Sequence, residues 1–508
     1  MKIKHLSPAL ALATTGCFAA TTPSTQAVPA QAQAQESRQN QPVVTTPATG
    51  QNITISVAAG ARQKFGGFGA SVGNWGGEYQ KLSLQQRAGL SKMMWRDLRF
   101  NTLRLWLNTD EYRPTPGAHD LSHFRTMYVD SGLIKDARAN GVTTLLLAPD
   151  KLPPYMSEGN NIKDDQVEPY AALIADFLAQ LQKETGITLG VTGIQNEPNN
   201  ANNGPGIFSA PQLVRAVKAL RVELDKRGLQ SVKIIAPETG SPDNVHNTFM
   251  NALQADPQAW KSLAGAASHS YNMAANSDAE RYVAGANGRN SKEYWMTEAS
   301  DNGPENPGDI RRAVSLSARF LNDANHRVTN WIHFLGFDIN DPGDNATRII
   351  AYTVNPAKIT VFKKYYAYQQ LAQAFDVGTV FRNSTSSIDG DMTWTFGLKP
   401  RVISSTARNP DGSWSIGLTN YTADSFSGVQ GGDETWNREQ GGHSPAQNYS
   451  VTIRVDELKN RPAVPFTVVR TNAAKSNAKS ETVVMRGGQV TVPIASQELV
   501  TLRSTALR

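Results

Sequence analysis

From about residue 62 the apolar positions alternate between two rhythms. Short, nearly continuous apolar runs are followed by stretches in which apolar residues return every three or four positions. The first rhythm is that of a strand buried on both faces, the second that of a helix with one face on a core. Helical segments include "LSLQQRAGLSKMMWRDLR" (82–99), "VDSGLIKDARANG" (129–141, closed by Gly141) and "APQLVRAVKALRVELDKRG" (210–228). In "EPYAALIADFLAQLQKETG" (168–186), Tyr170, Leu173, Ile174, Phe177, Leu178 and Leu181 share one face. Pro169 suits that helix's first turn and Gly186 its C-terminal cap. Between the helices lie "KFGGFGAS" (64–71), "NTLRLWLN" (101–108), "VTTLLLAP" (142–149), Val191–Ile194, "VKIIAPETG" (232–240), "GAASHSYN" (265–272), "EYWMTEAS" (293–300) and "NWIHFLGFD" (330–338). Eight strands joined by helical or long connections predict a (β/α)₈ TIM barrel over residues 62–375.

Beyond residue 380 the period falls to two. "MTWTFGL", "RVISSTARNPDGSWSIGLTNYT", "YSVTIRV", "FTVVRT", "QVTVPI" and "ELVTLRS" read as short strands, with Asn409-Pro410-Asp411-Gly412 as a turn. These predict a C-terminal β-sandwich domain over residues 376–508, joined by a strand from residues 51–61 through "ITISVAAG" (53–60). A packing platform for the barrel is its expected role. "GGDETWNREQGGH" (431–443) reads as a long polar loop.

A chain of 508 residues with 39% hydrophobic and 19% charged residues is globular and long enough for two domains. The net charge of +6 is modest for this length and no long run of Lys or Arg occurs, so a nucleic-acid partner has no support. "MKIKHLSPALALATTGCFAATT" pairs basic Lys2 and Lys4 with an apolar stretch too short to span a bilayer, which predicts a signal peptide over residues 1–20. Residues 21–50, rich in Thr, Pro, Ala and Gln, read as a flexible linker. The single cysteine, Cys17, leaves no disulfide and no catalytic thiol in the mature chain. Thr14-Thr15-Gly16-Cys17 resembles a bacterial lipoprotein processing site but lacks the usual Leu three residues before the cysteine. Lipidation at Cys17 and plain secretion both stay open, for a secreted, periplasmic or outer-surface protein.

Candidate chemistry lies at the strand ends. The run Val191–Ile194 stops in Gln195, Asn196 and Glu197 before Pro198, and the seventh strand ends in Glu298. An isolated strand-end Glu is commonly a solvated or helix-capping acid. In a barrel, however, functional side chains gather at the C-terminal ends of the strands, and strands four and seven face each other across that mouth.

Asn196-Glu197-Pro198 and Glu298 are similar to clan A of the glycoside hydrolases. "GFGAS" after strand one, "LAPDKLPPYM" after strand three and "KYYAYQQLAQAFDVGTVF" (364–381) resemble family 30 of that clan over about residues 51–508. The resemblance implies Glu197 as acid/base and Glu298 as nucleophile. It also implies Asn196 on a sugar 2-hydroxyl, Arg104 beside the nucleophile, and His269 and Tyr271, on strand six, bordering the nucleophile and the bound sugar. Hydrolysis of this kind needs one proton donor and one attacking carboxylate, and no metal or organic cofactor.

The chain departs from the family around the substrate. Asp150 stands near a usual tryptophan, and Phe334 stands about where many members place a sugar-stacking Trp. Trp75, Trp106, Tyr155 and Trp295 could stack on sugar or belong to the core. "DINDPGDNATR" (338–348) could rim the cleft, although the spacing of its aspartates fits no calcium loop. Together these features predict a secreted, monomeric, retaining β-glycosidase, endo-acting on a β-linked oligo- or polysaccharide such as β-1,6-galactan, β-1,6-glucan or xylan. Membrane contact is expected only through a lipid on Cys17. The alternative is a non-catalytic glycan-binding surface protein on a hydrolase scaffold, which has no need to keep both glutamates.

Overall fold

The computed structural model describes residues 50–73, 79–271, 273–388, 390, 392, 401–423 and 445–507. The leader with Cys17, Trp75, most of "MTWTFGL" and the polar loop 431–443 lie outside the described residues. Eight parallel strands close into a barrel: β1 Gly67–Ser71, β2 Thr102–Asn108, β3 Thr144–Asp150, β4 Val191–Thr192, β5 Lys233–Thr239, β6 Leu263–His269, β7 Glu293–Glu298 and β8 Asn330–His333. They lie in sequence order around the ring, and β8 pairs back onto β1. The expected TIM barrel with a C-terminal β-rich domain is therefore the fold observed.

Alternation within the strands sorts the side chains. Leu103, Leu105 and Leu107 of β2 and Leu145 and Leu147 of β3 pack outward among the helices. Leu146, Val191, Ile235, Ala267, Trp295 and Ile332 fill the barrel interior as a separate small core. Trp295 is thus a filler of the barrel interior and not a cleft residue: it is 3% exposed, and its indole N–H donates to Glu293 Oε2 at 2.8 Å, near the N-terminal end of β7. The helix Val167–Thr185 buries the six expected apolar side chains, and Gly186 closes it at φ 70° in the left-handed region that glycine adopts without strain.

Three strand ends differ from expectation. β4 keeps regular strand geometry only over Val191–Thr192, although Gly193 N and Asn196 N still donate to the Leu147 and Pro149 carbonyls at 3.0 and 2.7 Å; at Gly193 a Cβ would lie 1.7 Å from Glu238 Oε2. β6 ends at His269, so Tyr271 lies just past the strand. β8 stops at His333; after the cis Phe334–Leu335 peptide, Phe337–Ile339 joins Ile350–Thr353 and Lys358–Val361 in a small separate sheet.

A four-stranded sheet (Ser384–Ser386, Gln51–Val57, Tyr449–Val455, Gln489–Ile494) faces a six-stranded one (Val380–Phe381, Val402–Arg408, Trp414–Asn420, Glu498–Ser504, Val464–Thr471, Ala478–Met485). Inward-facing residues of both, among them Ile53, Ile55, Ile416, Val451, Phe466 and Leu502, form one core. The edge strand Ala478–Met485 was not expected: it is mostly exposed and carries little apolar alternation. Gln51–Val57 runs parallel to Tyr449–Val455 and antiparallel to Ser384–Ser386. The helix Lys363–Ala374 links this part to the barrel, Gln370 Nε2 donating to the Val469 carbonyl at 2.9 Å and to that of Leu499 at 3.3 Å.

Candidate active site

Because the strands are parallel, β2 to β7 deliver their last residues to one mouth, and the polar side chains there are almost fully buried. Arg104 of β2, Glu238 of β5 and His269 of β6 are 0% exposed, while Glu197 and Glu298 keep 7% and 5%. Buried charge persists only when paired, and here each charged group has partners. Arg104 Nη1 donates to Glu298 Oε1 at 2.5 Å. Its Nη2 donates to Asn196 Oδ1 at 3.0 Å and to Glu238 Oε1 at 3.4 Å. The guanidinium also lies over the Trp106 ring, 4.4 Å from its centroid, and Trp106 meets Phe334 edge-to-face at 6.0 Å.

Both oxygens of Glu298 are engaged, since the Tyr271 hydroxyl donates to Oε2 at 3.0 Å. Burial first, and then the neighbouring Glu298 charge, hold the Tyr271 phenol well above its ordinary range, so it remains a donor. Glu197 Oε1 lies 2.9 Å from His269 Nδ1, and Asn200 Nδ2 donates to Glu197 Oε2 at 2.7 Å. His269 Nδ1 is also 3.7 Å from Glu298 Oε2. Burial alone would lower the His269 pKa, but Glu298 and Glu197 outweigh it and the net shift is upward. Glu197 and His269 thus form a coupled pair that holds a proton between them.

One oxygen from each of Glu197 and Glu298, together with a ring nitrogen of His269, lies within 4.8 Å of the others. Such a trio could be read as metal ligands. The Arg104 guanidinium already takes the cation's place on Glu298, and the Glu197–His269 spacing is that of a hydrogen bond.

The upward shift of the His269 pKa has a consequence for stability. A histidine whose native pKa is raised stabilises the fold fully below its unfolded value of about 6.5 and loses that contribution as pH rises through the native value. The stability lost in His269→Gln is therefore expected to be larger at about pH 5.5 than at about pH 9, read from urea unfolding of variant and wild type. Equal losses at both would show that His269 carries no extra proton in the fold.

Asp150 ends β3 with its carboxyl pushed upward by burial, its Oδ2 3.7 Å from Lys151 Nζ, and it feels the charges of Arg104 and Glu298. Tyr155 is half-buried after β3 and packs against the outer core, its backbone carbonyl accepting from Lys163 Nζ at 2.9 Å. The aspartates of the loop 338–348 are engaged by the protein itself: Asp341 accepts from Gly343 N and Asp338 faces Arg348 within the loop, and Asp344 accepts from Gly303 N, past the end of β7.

Two residues went unnoticed in the sequence. Glu238 ends β5 in "APETG", a carboxylate at a strand terminus just as in "NEP", and that signal could have found it. Arg319, on the helix Ile310–Asn325, donates to the Ser270 carbonyl at 2.6 Å and the Ser300 carbonyl at 3.0 Å, tying the ends of β6 and β7 together from behind. Only the three-dimensional fold brings it there. Lys151, Glu197 and Glu238, just after or at the ends of β3, β4 and β5, take φ values of 62°, 45° and 61°. Positive φ is uncommon outside glycine, and its recurrence on three adjacent strands marks a mouth whose side chains are held inward at some conformational cost.

The chain matches no protein-family model and no curated protein. Solved structures resemble it over nearly its whole length. A GH30 endoxylanase from Clostridium papyrosolvens C71 gives a TM-score of 0.63 at 17% identity, covering 90% of this chain and 100% of that one. The catalytic domain of a GH30 xylanase C from Talaromyces cellulolyticus gives 0.63 at 15% identity, over 89% and 100%. An endo-β1,6-glucanase gives 0.62 at 17% identity, over 89% and 94%. At these identities the shared property is the fold: the barrel and its β-rich companion.

Proposed function

We propose that the chain is a retaining β-glycoside hydrolase working by double displacement. The observation that carries this reading is the pair Glu197 and Glu298 at the ends of β4 and β7, with an oxygen of each within 4.8 Å of the other. A retaining pair sits about 5–5.5 Å apart, whereas an inverting pair needs about 6.5–9.5 Å to admit water between them. The xylanases and the endo-β1,6-glucanase of the same fold support the reading.

Glu298 is the nucleophile. Its Oε1 is held by Arg104, and Oε2, on the side of His269 and Glu197, attacks the anomeric carbon. The glycosidic C–O bond breaks as the Glu298–sugar ester forms, and the proton of the Glu197–His269 pair passes to the leaving oxygen. Water then gives its proton back to Glu197 and its hydroxyl to the anomeric carbon, releasing Glu298. Asn196 gives its carbonyl oxygen to Arg104, leaving its amide N–H as donor to the sugar 2-hydroxyl. The substrate is a β-linked polysaccharide such as β-1,6-galactan, β-1,6-glucan or xylan, cleaved internally. The leader read in residues 1–20 carries the enzyme out of the cytoplasm.

A panel of β-linked polysaccharides, followed by reducing-end release and product sizing, is expected to identify one that is cut into oligosaccharides. Proton NMR of the first minutes of that reaction should show the β anomer first, the α anomer growing only by mutarotation. An initial α product removes double displacement, and failure on every β-glycan removes the assignment.

A further inference from the structure

We propose that Glu238 is a positioning residue for covalent catalysis, a second acceptor that keeps Arg104 compensated when Glu298 is consumed. This rests on the double-displacement reading above. In the free enzyme the Arg104 guanidinium meets two carboxylates, Glu298 at 2.5 Å and Glu238 at 3.4 Å, and is itself 0% exposed. When Glu298 becomes a neutral ester, Arg104 keeps a hydrogen-bond acceptor but loses its nearest negative charge. A guanidinium that is 0% exposed has little screening from bulk solvent, so the ester stage is disfavoured unless a second anion stays beside it.

Glu238 is built into that place. Its side chain is 0% exposed, and it fills the space that Gly193 leaves by having no Cβ. Its carbonyl accepts the Glu197 amide at 3.1 Å, so the acid/base and this residue share one backbone contact. The groups facing it are Arg104 of β2, His269 of β6, and Thr297 and Glu298 of β7. On balance its pKa lies above the ordinary carboxylate value: burial raises it most, Arg104 and His269 pull it part of the way back, and the Glu298 charge raises it again. Esterification of Glu298 removes that last opposing charge at the moment the Glu238 anion is needed. Glu238 touches no reacting atom in this scheme and acts only through Arg104.

The scheme predicts an asymmetry between the two half-reactions. Without the second anion, Arg104 grips Glu298 more tightly before attack and is left bare after it. Formation of the ester slows, and its breakdown, which restores the Glu298 charge, does not. Glu238→Gln keeps the shape and removes the charge. With a 2,4-dinitrophenyl 2-deoxy-2-fluoro-β-glycoside of the sugar the wild type hydrolyses, its labelling rate is expected to fall about 10- to 100-fold, less than the full cost of breaking a buried ion pair because Glu238 is the more distant of the two carboxylates on Arg104. The rate at which isolated labelled enzyme reactivates should be unchanged or faster. Should Glu238→Gln not fold by circular dichroism, Glu238→Asp, which withdraws the charge from Arg104 by one methylene, is expected to show a smaller loss in labelling with the same unchanged reactivation. Equal slowing of both rates indicates loosened structure and overturns the inference, as does a labelling rate equal to that of the wild type. Wild-type protein that neither hydrolyses β-glycosides nor takes label at Glu298 overturns the hydrolase reading itself, a result separate from any behaviour of the variant.

Discussion

Glu298→Ala is expected to lose turnover by about 10⁴-fold or more, on the scale seen when a covalent nucleophile is removed. Among the described residues, the side chain occupies the one position where Arg104 at 2.5 Å and Tyr271 at 3.0 Å both donate to a carboxylate that also borders His269. Among the described residues nothing else at the mouth combines those features: Glu238 is 0% exposed and reached by Arg104 from the other side of its fork, and Asp150 ends a different strand. The fold should survive, because Glu298 belongs to none of the apolar cores and Arg104 keeps Glu238 and Asn196 as partners. Initial rates on the polysaccharide, a thermal melt and peptide mapping of a 2-fluoro glycoside adduct make the test. Activity within tenfold of the wild type, or a label on another residue, sinks the assignment.

Glu197→Ala should show a loss that depends on the leaving group. Deleting a general acid costs about 10²–10⁴-fold where the leaving oxygen needs a proton, and little where it does not. Turnover of the natural glycan should therefore fall by that factor, while a dinitrophenyl β-glycoside still forms the ester quickly. The second step then stalls, since no base activates water. Azide needs no base and is small enough for the space the carboxylate leaves, so it should restore turnover and yield the β-glycosyl azide. An α-azide from this variant would exchange the two roles. Removal of Glu197 also strips His269 of its nearest partner at 2.9 Å, so the acidic and basic limbs of any residual activity should move as well.

Much of this was legible in the chain because strand and helix periods in an α/β barrel are strong and repetitive. The helix 168–186 and the hairpin around Asn409–Gly412 could be drawn almost to their ends from apolar spacing, glycine and proline. Glu197 and Glu298 could be found because breakers and polar residues punctuate an apolar strand. What escaped were residues whose place depends on neighbours remote in sequence. In the sequence Trp295 could be sugar platform or core, and only the inward row of six strands closing around it decides for the core. Val191–Ile194 reads as one strand, yet regular strand geometry ends at Thr192, and at Gly193 the lack of a Cβ leaves room for a carboxylate of the next strand. Ala478–Met485 has too polar a face for period-two reading, because it sits at a sheet edge in solvent. Arg319 carries no local signal at all, since its function is to bind carbonyls at the ends of two other strands.

The parallel pairing of Gln51–Val57 with Tyr449–Val455 bears on how the protein can be made. During synthesis the first of these strands emerges early and waits for a partner about 400 residues later, a separation that makes the closing step slow and leaves an apolar edge open to other chains meanwhile. Ile53, Ile55 and Val57 share their core with Val451, Ile453, Val492 and Leu502, so they have no complete core until the last part of the chain is present. Expression of the barrel alone, cut after residue 375, leaves that strand orphaned and also strips Leu499 from the core around Leu371 and Tyr368. Soluble yield should thus depend on slow translation or chaperone supply for the whole chain, and trimming from either side of the two linked parts should lower it.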